Sequence, residues 1–510
     1  MDLFYEIESI YSRIEKVIED KGYVPYDFVL EPKKQTEDKI TFAPGALEGI
    51  LGHHCAGNGE NDDAKKIAEF IKNHSNQEPI QTVRDYEEKW MEQETAVVRD
   101  ALLREILNHT DTYDANNIGE VAYAMMTEGR YVETVKMGLT LMALFNMSEN
   151  EDVKEKLLTL GKCEDFTEYV LMNISDWTDE EKNKVYFIFA QTLDGWGKIN
   201  AVECLQANTE EIKEWILCEG CKNSILYSYL GLECAEKCDY LERLKAGHLT
   251  EQEKLGASDI MDGLLDEGPC VGISGLEAPE ETIYWYICAM KEKITEIKGI
   301  EQLFSIQDYL EENDEEEKNV ANEWKQKAVE KLTETLKTVD LETVVLEGLA
   351  EQPQYAVNMA MKQGIDISEK LMGLMQAEFE KYYYYGYYFL EKHVKGEEYI
   401  ELCEKHLDYN TLPKGMGNEL GLGKKAHWDI DMVTQYLKNY PYCGQELLEV
   451  SIHAPYIRWR NMAANALEAW RETLHKELQE ISPKLYNVVL EIAKSECDEK
   501  LKKRWNNLVQ

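Results

Sequence analysis

Along YVETVKMGLTLMALF, Val135, Leu139, Met142 and Phe145 recur at intervals of four and three, the spacing that places side chains on one face of a helix. Such a face must be buried against a neighbour. Just upstream, NIGEVAYAMMTEGRYVETVK reads as a helix, a Gly-containing turn at Glu128 to Arg130 and a second helix, an antiparallel hairpin. The same alternation recurs in NKVYFIFAQTLDGWGKINAVECL, in YAVNMAMKQGIDISEKLMGLM and in QELLEVSIHAPYIRWRNMAANALEAW. Asp194 is placed to cap the helix that Trp196 begins, and Pro455 suits the first turn of the last of these helices. The pattern predicts an all-α chain.

Two of these second helices align without a gap. G-K-I-N-A-V-E-C-L, Gly197 to Leu205, and W-R-N-M-A-A-N-A-L, Trp459 to Leu467, share a basic residue second, alanine fifth, a small residue eighth and leucine ninth. Both segments resemble the second helix of HEAT and armadillo-type repeats, whose pattern is V-R-x-x-A-x-x-A-L, although Gly197 and Trp459 stand where the family has valine. The resemblance implies a right-handed α-solenoid of HEAT-like helical hairpins over much of residues 115–475, with Lys198 and Arg460 in a ladder that bonds one repeat to the next. Trp196 and Lys198 are then expected to be packing and ladder residues. Residues 1–85, which lack a clean repeat, are expected to form an irregular N-terminal cap, followed by helical blocks at 86–310 and 311–510. Breaks are expected at the Gly- and Pro-containing stretch 262–280, at the acidic run Glu311 to Asn319, and at Leu412 to Asp429.

Composition narrows the function classes. The chain carries 98 acidic against 55 basic residues, a net charge of −43, which repels phosphate backbones and anionic lipid. Neither nucleic acid nor a membrane is an expected partner; a basic protein is. Only 11 prolines in 510 residues fits long helices better than many short strands. The N-terminal stretch is charged throughout, unlike a signal peptide, and no apolar run approaches a membrane span, so a cytoplasmic chain with reduced thiols is expected.

Four stretches invite chemistry. The glycines between Gly415 and Gly423 fail both the phosphate-loop and the dinucleotide spacing and read as a flexible loop, so no motif calls for a cofactor. Cys218, Cys221, Cys234 and Cys238 have the form C-x2-C-x12-C-x3-C, close to a zinc ribbon, but the intervening KNSILYSYLGLE looks helical, which favours buried thiols over metal ligands. His53, His54 and Cys55, near Asp62 and Asp63, form the best enzyme lead, against a bland reading as a loop before the helix at Ala64 to Asn73. KYYYYGYYFLEK, Lys381 to Lys392, would put six tyrosines around one helix, so Tyr384 and Tyr387 are the expected partner-binding residues.

Two function classes remain: an acidic scaffold that binds another protein, and an enzyme using the solenoid groove as a substrate pocket, with His53, His54 and Cys55 as its candidate site. HEAT-like folds include DNA glycosylases, but their DNA-binding faces are basic. A looser similarity to bacterial repeat proteins with oxygenase-type labels has no haem-ligating cysteine loop or flavin-binding glycine fingerprint behind it in this chain.

Overall fold

A computed structural model describes residues 8–25, 28–30, 43–54, 61–74, 76–291, 296–312, 323–407, 409, 415, 417 and 425–510; the side chains of residues 53, 54, 312 and 425–429 lie outside that description. Among the described residues every regular element is a helix and none is a β-strand. None of these helices is long and apolar enough to cross a membrane. The chain divides into two compact units. The first comprises residues 1–35, 40–291 and 305–332, and the second comprises residues 36–39, 292–304 and 333–510.

The first unit contains α1 (Ile10–Lys21), α2 (Ala46–His54), α3 (Asp62–Asn73), α4 (Pro79–Trp90), α5 (Thr95–Asn108), α6 (Ala115–Glu128), α7 (Val132–Met142) and α8 (Glu151–Leu160). It continues with α9 (Thr167–Asn173), α10 (Asp179–Thr192), α11 (Trp196–Cys204), α12 (Glu210–Trp215), α13 (Gly231–Lys237), α14 (Tyr240–Ala246), α15 (Glu251–Leu265) and α16 (Pro279–Ala289). Local chemistry sets several boundaries. Asn61 accepts from the Asp63 and Ala64 amides to start α3, and Thr178 with Glu181 and Thr250 with Glu253 form capping boxes at α10 and α15.

The expected hairpin at Glu128 to Arg130 is present as α6 and α7. Glycine is needed twice here: a Cβ on Gly129 would lie 2.4 Å from the Met125 carbonyl oxygen, and one on Gly138 would lie 2.7 Å from Met125 Cβ. The single apolar face expected for this segment is too modest a description. Every residue of α7 from Thr134 to Met142 is buried, because α7 packs against α5, α6 and α9 at once, whereas Phe145 lies beyond the helix end. Second-neighbour packing extends along the unit. α3 packs on α5, α5 on α7, α7 on α9, α9 on α11, α11 on α13 and α13 on α15.

The second unit has its own core, with Trp459, Trp470 and Trp505 fully buried among aliphatic and tyrosine side chains. Pro455 precedes the helix Ile457–Leu474 and its cap Tyr456, two residues before the expected first-turn position. The tyrosine-rich stretch is not one helix. It is a short helix Phe379–Tyr382, a 3-10 turn Tyr383–Gly386 and a second helix Tyr387–Lys392.

Candidate functional site

The two motif helices are built around buried cations. Lys198, on α11, is 7% exposed and donates to the Glu219 carbonyl at 3.1 Å. Arg460 is fully buried; it bonds both oxygens of Glu496 at 3.0 Å and the Ala454 carbonyl at 2.8 Å. Trp196 is a packing residue: a Cβ on Gly49 would lie 2.2 Å from its ring. Asp194 does not cap α11, contrary to the expectation. Glu164, thirty residues upstream, takes that role by accepting the amides of Asp194, Gly195 and Gly197 at 2.8, 2.7 and 2.6 Å.

The cysteine quartet is buried. Cys218 sits in a π-helical turn, Ile216–Gly220, and Cys234 lies in α13; between them the expected helix is present only from Gly231, residues 221–230 being irregular with a 3-10 turn at Tyr227–Tyr229. Contact with the Cys234 thiol and burial push the Cys221 thiol well up, and burial does the same at Cys218 and Cys238. Cys221 donates weakly to the Tyr227 and Asp259 carbonyls, both at 3.5 Å. Among the described residues no group of three or more His, Cys, Asp or Glu is placed to hold a metal ion. The side chains of His53 and His54, and Cys55 altogether, lie outside the described residues, although His54 closes α2.

Tyr384 lies in the 3-10 turn and Tyr387 begins the helix that follows it. Tyr384 is 55% exposed with Tyr385 packed edge-on at 6.0 Å, while Tyr387 is half-buried and donates to Asn358 at 3.0 Å.

A feature that the linear pattern does not show lies in the first unit, where a buried charge network adjoins a cavity. Lys136 on α7 bonds Glu48 at 2.7 Å and lies 3.2 Å from Glu133, and Tyr169 donates to Glu48 at 3.1 Å. Burial opposes the lysine charge, but Glu133, Glu48 and Asp165 outweigh it and hold its titration above the ordinary range. Arg99 pairs with Glu168 at 2.5 Å and lies 5.6 Å from the centre of the Tyr169 ring. Beside this network, Asp165 and Glu164 line a cavity of about 230 Å³ together with Tyr23, Pro25, Phe28 and Pro44. Burial raises the Asp165 carboxyl to about 6, with Lys136 opposing that rise. Burial also raises Glu164, against the pull of its three amides. The segment 28–30 is anchored by Arg13, which donates to the Val29 and Leu30 carbonyls at 2.6 and 2.5 Å and lies 5.6 Å from the centre of the Phe28 ring. None of these groups stands out in sequence, because Lys136 and Glu48 are 88 residues apart and only the fold joins them.

Comparisons of this chain with protein-family models, with curated proteins and with solved structures return no match.

Proposed function

We propose that this chain is a HEAT-like right-handed α-solenoid that serves as a scaffold for a basic protein partner. The repeated second-neighbour packing from α3 to α15 supports the solenoid, since stacked hairpins bury each helix against the one two places on. The observation that carries the partner assignment is the surplus of carboxylates. Lys154 is shared between Glu181 at 3.1 Å and Glu151 at 3.5 Å, Lys213 between Asp239 at 2.5 Å and Glu210 at 4.0 Å, and Lys245 between Glu242 and Glu281 at 3.0 Å each. Even with lysines shared in this way, 98 acidic residues against 55 basic ones leave a negative surface that attracts cationic segments. Tyr384 and Tyr387 are the assigned contacts, because a tyrosine ring buries area while its hydroxyl stays hydrated.

The test is capture of a stoichiometric partner from native extract, followed by titration of the two purified proteins. Affinity is expected to fall steeply as salt rises toward ~1 M, where the screening length shrinks to about 3 Å. Tyr384→Ala is expected to weaken binding by on the order of tenfold without changing the melting curve, whereas Tyr387→Ala also removes the bond to Asn358 and packing on the core and is expected to lower the melting midpoint as well. Lack of any saturable partner, or a complex indifferent to salt, overturns the reading.

A further inference from the structure

The cavity in the first unit stands apart from the scaffold surface. Its walls combine aromatic and proline side chains, Tyr23, Pro25, Phe28 and Pro44, with the carboxylates of Glu164, Asp165 and Asp194. No lysine, arginine or histidine is among the described lining residues. The three carboxylates are not equivalent. Glu164 is committed to the α11 amides, which hold both its oxygens. Asp165 has Lys136 nearby, but that ammonium is already bonded to Glu48 at 2.7 Å and close to Glu133 at 3.2 Å. One cation among three carboxylates leaves net negative charge beside the cavity wall, where Glu48 is buried and Asp165 only partly open to water, so that solvent screens the charge incompletely. Anions are therefore excluded, and a neutral occupant leaves the charge uncompensated.

Aromatic and carboxylate groups facing one small space select an organic cation, since ring faces and carboxylates attract the same charge while the apolar wall covers an alkyl stem. The volume, about 230 Å³, lies below the ~300–1,000 Å³ of drug-sized sites and suits a single head group. We infer that this cavity binds an alkylammonium group, with Asp165 and Asp194 opposing the cation and Phe28, Tyr23 and Pro25 enclosing its stem. The group is either a free small amine or the side chain of a lysine on another protein. Both present the same chemistry to the cavity.

The experiment is calorimetric titration of the full chain with butylammonium chloride, with Nα-acetyl-lysine methylamide and with butanol as the neutral match. Saturable one-site binding of an ammonium probe is expected, with butanol weaker by on the order of tenfold. Tighter binding of the lysine derivative identifies a protein-borne ligand, and tighter binding of butylammonium identifies a free amine. Asp165→Asn is expected to weaken ammonium binding by about tenfold or more, because it removes the charge and keeps the shape. Phe28→Ala, at the cavity wall, is expected to weaken it with the helical signal intact, and it serves as the variant if Asp165→Asn fails to fold. No saturable binding of either ammonium, equal binding of butanol, or undiminished binding by the folded variants overturns the inference. None of these outcomes depends on whether a basic protein binds the outer surface, so the two readings fail separately.

Discussion

Arg460 shows how one side chain can govern a helix pair. Its guanidinium and the Glu496 carboxylate are both without solvent exposure, and Glu496 also accepts from Trp505 at 3.2 Å and from the Asp498 amide at 3.1 Å. Burial alone would raise the Glu496 carboxyl, yet Arg460, the Asp498 amide and Trp505 hold it below its ordinary value. Arg460→Ala is therefore expected to cost about 3–5 kcal/mol in urea denaturation, because it strands a buried charge. Replacing both partners with apolar residues of similar volume is expected to cost far less, which separates the stranded charge from lost packing. The basic residue was visible in the sequence as the second position of a repeating nonapeptide. Its partner, 36 residues away, was not, because nothing local distinguishes Glu496 from its neighbours. Glu164 makes the same point from the opposite direction: Asp194 is a good capping residue by type, but a buried carboxylate from another segment took the α11 amides first.

At the scale of elements, the tyrosine-rich stretch separates local propensity from packing. Tyrosine is only a moderate helix former, and nothing in KYYYYGYYFLEK marks a break except Gly386. The break exists because Tyr399 presses on Gly386: a Cβ there would lie 2.0 Å from the Tyr399 ring, whose hydroxyl donates to the Tyr383 carbonyl at 2.9 Å. Gly386→Ala is expected to destabilise the second unit by about 1–3 kcal/mol or more, since Tyr399 is fully buried and has nowhere to move. Thermal melting of that single variant is sufficient to check it, and an unchanged midpoint would show that the contact is soft. The period of α7 was likewise legible while its burial was not. Apolar spacing of four and three reveals one face, but Thr134, Lys136 and Thr140 are enclosed as well because neighbouring helices cover the other faces.

For the whole molecule, charge sets the response to pH. Asp165 is raised from 3.8 to about 6 and Glu203 from 4.5 to about 7, in both cases chiefly by burial, with Glu233 adding to the rise at Glu203. A raised carboxyl holds its proton in the folded state after the unfolded chain has released it, so stability falls as pH rises through these windows. Carboxyls held low act in the reverse sense. Glu181, at about 2 through its bonds to Thr178 and Lys154, and Glu496 contribute stability that is lost as pH drops through their folded values. The urea midpoint is thus expected to rise as pH is lowered from about 7 toward about 5, then to fall in stronger acid, with Asp165→Asn flattening part of the first slope. A midpoint that climbs steadily from pH 5 to 8 would contradict the burial of these carboxyls.

Much of the helical pattern was decided by the sequence alone: apolar residues at helical spacing, scarce proline, and cap residues such as Asn61, Thr178 and Thr250 act within a few residues of one another and need no tertiary context. The large negative charge is equally a property of composition. Tertiary structure alone decided which charges are shielded, as with Lys136 and Arg460, which carboxylate caps α11, and where the cavity beside Asp165 lies. Those features depend on groups far apart in the chain, and burial changes the energy of a charge only after folding has removed the water around it.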